Sequence, residues 1–109
     1  MKIEYVDYDF LRFDNGETIE TSYSQQCCET NWGDFKSLDD IAMDYNFKPP
    51  LQFRHEDYGF SFGDKRRMFF VPCYSAQNGY YSNEVDVYYN NKLVLTTEGE
   101  ERDKYDIPW

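Results

Sequence analysis

Apolar and polar residues alternate along most of this chain, with a single interval of helical period near its middle. Residues 2–13, KIEYVDYDFLRF, read as one strand, with Val6, Tyr8 and Phe10 on one face and Ile3, Tyr5, Leu11 and Phe13 on the other. Asn15-Gly16 follows, a dipeptide suited to a two-residue hairpin because both positions tolerate positive φ. That turn sets Phe13 opposite Thr18, Arg12 opposite Ile19 and Phe10 opposite Thr21. The return strand, ETIETSYS, is rich in β-prone threonine. Beyond a loop carrying Trp32 and Phe35 the period changes. Leu38, Ile41, Ala42 and Tyr45 recur at helical spacing, Ser37 can cap, and Asp39-Asp40 suit the first turn. A short amphipathic helix is therefore predicted from Ser37 to about Asn46, ended by Pro49-Pro50.

Period two returns in residues 51–62, LQFRHEDYGFSF, with Leu51, Phe53 and His55 on one face and Phe60 and Phe62 resuming beyond Gly59. Gly63-Asp64 begins a turn, and Lys65-Arg66-Arg67 leads into the densest apolar and aromatic stretch, Met68 to Tyr89. Within it Met68 to Val71 suits a buried strand, and Val85, Val87 and Tyr89 alternate with Asp86 and Tyr88. Between them lies a polar loop, Ser75 to Gly79, followed by Tyr80 and Tyr81. Asn90-Asn91 reads as a second hairpin turn, pairing Tyr88 with Leu93 and Val87 with Val94. From Glu98 the charges crowd. The expected architecture is α+β: a mostly antiparallel sheet of about six strands with one short helix packed on it. It fills a single domain over 1–97, with a charged C-terminal tail over 98–109.

Composition narrows the function classes. The chain has 109 residues, 22 of them aromatic by the sum of 11 Tyr, 9 Phe and 2 Trp, which is enough for one core. No apolar run approaches the ~18 residues of a membrane span, and the N-terminus has no basic, hydrophobic signal. A cytoplasmic protein without membrane contact is expected. Three cysteines, two of them adjacent, make a poor disulfide framework and agree with that. The net charge is −10, and residues 1–50 carry most of it, 11 acids against 4 bases. Such a charge repels phosphate backbones, which argues against direct nucleic-acid binding and favours a basic protein surface as partner.

Candidate chemistry is sparse. Cys27, Cys28, Cys73 and His55 are the one grouping that resembles a metal site, but the CxxC spacing of zinc knuckles is missing, so no metal is expected. Burial explains Cys73 more simply. Asp39-Asp40 and Glu56-Asp57 lack the glycine-bent loop of a calcium site; capping explains the first pair and solvation the second. No nucleophile–base pair is marked, so neither an enzyme nor a cofactor is expected. Eleven tyrosines suit half-buried strand positions, yet Tyr also supplies large contact area at low entropic cost in interfaces. The first reading is thus a partner-binding surface of Tyr74, Gln77, Asn78, Tyr80 and Tyr81, steered by Asp7, Asp9, Glu17 and Glu20. The alternative is a pocket for a nucleotide-like ligand, with Arg66 and Arg67 on phosphate and Tyr74, Tyr80 and Tyr81 stacking on a base. A third possibility is an assembly subunit.

Three motifs bear on context: Gln26-Cys27-Cys28-Glu29, then Phe70-Val71-Pro72-Cys73-Tyr74-Ser75 running into Gln77-Asn78-Gly79-Tyr80-Tyr81-Ser82, and Asp86-Val87-Tyr88-Tyr89-Asn90. Together they resemble a family of small uncharacterised proteins of gut bacteria, their phages and mobile elements. The resemblance spans most of the chain and brings no activity with it. It implies a phage- or mobile-element-encoded inhibitor, acting in counter-defence by blocking a host defence or nucleic-acid-handling protein.

Overall fold

The computed structural model describes residues 1–21, 24–26, 29–77 and 83–102. Among them are eleven strands: β1 (Ile3–Val6), β2 (Phe10–Phe13), β3 (Thr18–Thr21), β4 (Ser24–Gln26), β5 (Glu29–Gly33), β6 (Gln52–Glu56), β7 (Gly59–Gly63), β8 (Met68–Gln77), β9 (Glu84–Tyr89), β10 (Lys92–Glu98) and β11 (Glu100–Arg102). They form two sheets, ordered β1-β2-β3-β9-β10 and β4-β5-β8-β7-β6, with every neighbouring pair in these orders antiparallel. β11 joins the second sheet in parallel, Glu100 to Arg102 alongside Tyr74 to Ala76 of β8.

β8 organises the second sheet. Its first half, Met68 to Pro72, pairs with β7, and its second half, Cys73 to Gln77, pairs with β5. Pro72 stands at the hand-over, where its carbonyl accepts the Asp34 N–H at 2.8 Å. The alternation of β7 and β8 sends Phe60, Phe62, Phe69, Val71 and Cys73 inward, where they share one core with Leu11, Phe13, Ile19, Val85 and Val87 of the other sheet. Phe47, from the β5–β6 connection, fills the middle: its ring stacks on Phe62 at 5.6 Å and meets Phe13, Tyr45 and Phe69 edge-on. Such ring pairs add about 0.5–1.5 kcal/mol each beyond their buried area. Polar bonds join the sheets elsewhere. Thr21 Oγ1 accepts the Gly33 N–H at 3.0 Å and Asn31 Nδ2 donates to Glu84 O at 3.4 Å, while within the second sheet the Ser75 hydroxyl donates to Asn31 Oδ1.

The protein is therefore all-β, and the expected α+β class with a helix packed on a sheet is overturned. In place of the helix from Ser37 to Asn46 there is one 3-10 turn, Phe35–Leu38, followed by further turns. Leu38 O accepts the N–H of both Ile41 and Ala42, so no helical ladder builds, and Ile41 is 55 % exposed. Three aspartates and an asparagine within 39–46 are weak helix formers, and an isolated helix of ten residues is marginal in water. The segment instead seats Phe35, Leu38, Ala42 and Phe47 in the core.

Residues 2–13 are not one strand but a hairpin, β1 against β2, folded at Asp7–Asp9. The next hairpin lies one residue from the expected register, pairing Phe10 with Glu20, Leu11 with Ile19 and Arg12 with Thr18. Its turn closes from Gly16 N–H to Phe13 O at 3.0 Å, and Gly16 takes φ +90 after the turn proper. The loop thus has three residues, with Gly16 in the left-handed position. The Asn90-Asn91 turn matches its expectation: φ is +51 and +68, and Tyr88 pairs with Leu93. Val87, however, meets Leu95, because β10 bulges between Leu93 and Leu95.

The β7–β8 turn is built around Asp64. Its carboxylate is buried and accepts the Tyr45 hydroxyl at 2.8 Å and the N–H groups of Lys48, Arg66 and Arg67 at 2.9, 2.9 and 3.2 Å. The Lys48 N–H leads these bonds in holding the carboxyl far below the usual carboxylate range, against the opposing pull of burial.

Two stability outcomes follow from this end of the sandwich. A Cβ on Gly63 falls 2.0 Å from Arg67 O and 2.9 Å from Met68 Cα, so Gly63→Ala is expected to cost about 1–3 kcal/mol in urea denaturation. Because the folded pKa of Asp64 is depressed, its contribution is complete above the unfolded value of about 4 and is lost as pH falls toward the folded one. Asp64→Asn is expected to melt below wild type at pH 7, with the gap narrowing below about pH 4 in melts taken from pH 7 to 2.

Candidate functional site

The residues singled out in the sequence fall in separate places. Tyr74 lies on β8, half-buried, its ring 5.6 Å from that of Trp32 and 4.6 Å beneath the Arg102 guanidinium. Gln77 ends β8 opposite Glu29. Asn78, Tyr80, Tyr81, Cys27 and Cys28 lie outside the described residues. Asp7 and Asp9 flank the β1–β2 turn, where burial and then the neighbouring Asp7 charge raise the Asp9 carboxyl. Glu17 is at the opposite end of the sheet, accepting the Tyr89 hydroxyl, whose own pKa is raised chiefly by burial. Glu20 sits on β3 between Phe10 and Tyr88.

Arg66 and Arg67 are not beside Tyr74. They precede β8, and seven residues of strand put roughly 20 Å between Arg67 and Tyr74. Arg67 packs over Phe69 at 4.5 Å and Arg66 over Tyr45 at 5.2 Å. His55 is exposed on β6 while Cys73 is fully buried, its thiol pushed up to about 12 by burial and by Asp34. Such a thiol stays protonated at neutral pH and is neither a ready nucleophile nor a ready ligand. No three His, Cys, Asp or Glu among the described residues are grouped to hold a metal.

What the fold does bring together is an acidic corner where β6 and β10, edge strands of the two sheets, approach each other. Asp57 and Tyr58 form the two-residue turn between β6 and β7, and Glu98 ends β10. With His55 and Glu56 they line an open pocket of about 350 Å³. The Thr97 hydroxyl fastens the corner, 2.8 Å from Gly59 O and 3.2 Å from Glu56 O, so it donates across from one sheet to the turn of the other. Arg54 pairs with Glu56, whereas Asp57 and Glu98 have no ion-pair partner among the described residues.

Two features of this corner run against stability. Glu98 stands directly across the β9–β10 ladder from Glu84, a like-charged pair that costs rather than contributes. Tyr58 takes φ +57 although it is neither Gly nor Asn, and it is 52 % exposed. Its carbonyl is pinned by the Cys73 N–H at 2.9 Å, so the ring is presented outward on a fixed turn beside β8. Strain of this kind clusters where a side chain is held for binding. The corner continues through Glu100 and Glu101 of β11, which bring carboxylates alongside Tyr74 and Ser75. Tyr74 thus belongs to this surface, while Asp57, Tyr58, Glu84 and Glu98 were not visible as a group. Residues 51–62 read as one β region, which hid the Asp57-Tyr58 turn, and Glu98 read as the start of a tail.

Comparison with protein-family models, curated proteins and solved structures finds no match to this chain. Among the described residues no helix is long and apolar enough to cross a membrane.

If Tyr58 is retained for contact rather than for folding, Tyr58→Gly is expected to raise stability by about 1 kcal/mol, since only glycine enters this region freely. Chemical denaturation checks it, and a loss of stability would remove the strain argument.

Proposed function

We propose that this chain is a non-enzymatic binding protein that docks an acidic, tyrosine-rimmed surface on a basic surface of a partner protein. The observation that carries the reading is the pocket of His55, Glu56, Asp57, Tyr58 and Glu98, where three carboxylates line a cavity with a strained, exposed tyrosine. A lysine or arginine side chain is the occupant that this chemistry favours: its cation meets the carboxylates and packs on the Tyr58 face. Glu84, Glu100 and Glu101 around the pocket, with Asp7 and Asp9 at the same end of the first sheet, supply the long-range field. Tyr74, one of the residues expected in such a surface with Gln77, Asn78, Tyr80 and Tyr81, extends the contact area of this proposal.

The resemblance to phage and mobile-element proteins supports a more specific version. In it the chain is a cytoplasmic inhibitor that occupies the basic surface of a host defence or nucleic-acid-handling protein, in competition with that protein's own anionic substrate.

The test is capture from bacterial lysate with wild type and with Asp57→Lys/Glu98→Lys, followed by association kinetics on the captured partner at several salt concentrations. The expected result is a basic partner held by wild type and lost by the variant. Its association rate should fall steeply as added salt shortens the screening length below about 8 Å. A partner bound equally by the variant, or at a rate indifferent to salt, contradicts the reading.

A further inference from the structure

The end of the β6–β7–β8 meander away from the acidic corner carries the opposite charge. There Lys48, Pro49, Pro50, Asp64, Lys65 and Arg66 line a second pocket, of about 280 Å³. Asp64 is the one acid in that lining, and its carboxylate is already engaged by Tyr45 and by the N–H groups of Lys48, Arg66 and Arg67. Three cations and one carboxylate leave a formal charge of +2, in a chain whose net charge is −10. A run such as Lys65-Arg66-Arg67 is ordinarily explained by solvation or by protection of a strand edge. That explanation does not reach Lys48, which arrives from a different connection.

Lys48 and Lys65 are exposed and have no ion-pair partner among the described residues. The Lys48 N–H donates to Asp64 Oδ2 at 2.9 Å, so the carboxylate that shapes the Lys65–Arg66 turn also fixes the backbone of Lys48. Arg66 is held as well. Its Nη2 donates to Asn46 O at 2.6 Å and to Asp64 Oδ2 at 3.4 Å, and its guanidinium lies over the Tyr45 ring. Two prolines add an apolar wall without mobile side chains. A converging set of cations on fixed backbone, beside a flat apolar wall, is preorganised for an anion attached to a planar group.

We infer that this pocket binds an aromatic phosphate monoester, with the phosphate among Lys48, Lys65 and Arg66 and the ring against Pro49 and Pro50. The charge of a phosphate monoester near pH 7, about −1.5 to −2, matches the +2 of the lining better than a carboxylate does. At about 280 Å³ the pocket suits a single ring and not a dinucleotide. For a probe as small as phenyl phosphate the dissociation constant is expected on the order of 1 mM, given what each ligand atom contributes.

The experiment is an amide NMR titration of the full chain with phenyl phosphate, inorganic phosphate and phenol, repeated on Lys48→Glu/Lys65→Glu. Both lysines are exposed, and thermal denaturation checks that the variant remains folded. Saturable shifts at residues 48 and 64–66 with phenyl phosphate are expected. Binding should be about tenfold weaker with inorganic phosphate, near zero with phenol, and at least tenfold weaker in the folded variant. The inference is overturned by non-saturating shifts with phenyl phosphate, by equal binding of inorganic phosphate, or by a folded variant that binds as wild type does.

Discussion

A buried carboxylate with its own set of donors is the constraint on which this sandwich most depends. Asp64 sits at the rim of an aromatic core, where an unpaired charge would be driven to neutralise. Three backbone N–H groups and the Tyr45 hydroxyl keep it ionised instead, and each of those donors lies on a connection rather than a strand. The carboxylate therefore ties the end of the β5–β6 connection to the β7–β8 turn. That tie holds Phe47 against Phe62 and Phe69 within the shared core. The Met1 amine reaches the same connection, donating to Asn46 Oδ1 and Phe47 O at 2.8 Å.

Charge separates along the meander that Asp64 anchors. β7 spans about 13 Å, with the carboxylates of Glu56 and Asp57 at one end and Lys65 and Arg66 at the other. Each pocket includes a turn at one end of β7, Asp57-Tyr58 in the acidic one and the turn from Asp64 in the basic one, so the ladder of β6, β7 and β8 carries part of both. In the acidic corner the fold accepts local penalties, a like-charged cross-strand pair and a left-handed tyrosine. The basic end has neither. Its cations are aligned by bonds that also hold the fold, so the two ends differ in how function and stability are coupled.

How far the sequence foretold this depends on the range of the interaction concerned. The alternation of Phe60 and Phe62, of Val85 and Val87, and the Asn90-Asn91 turn were legible because each is set within a few residues. The helix was misread because Leu38, Ala42 and Tyr45 have helical spacing for a different reason: successive tight turns also return a residue to the core every three or four positions. Residues 2–13 hid a turn at Asp7–Asp9 because apolar side chains continue on both sides of it. Neither Asp64 nor the acidic corner announces itself locally. Asp64 has partners at 45 and 48, and Glu98 meets the Asp57 turn only because Thr97 crosses between the sheets.

The bulge in β10 has a consequence for how the molecule behaves in a crowd. β10 ends the first sheet, and its outer end exposes Leu93 and Val94, 58 % and 38 % accessible, next to a hairpin tip. A flat apolar edge of that kind is a template on which an incoming chain can zip up its own backbone. Here the extra residue between Leu93 and Leu95 breaks the ladder after two pairs, and at the other end the β6–β7 turn covers Thr97. A bulge bends its strand and raises the local twist, and this is one of the ways a sheet edge carrying apolar side chains is made a poorer template for a second chain.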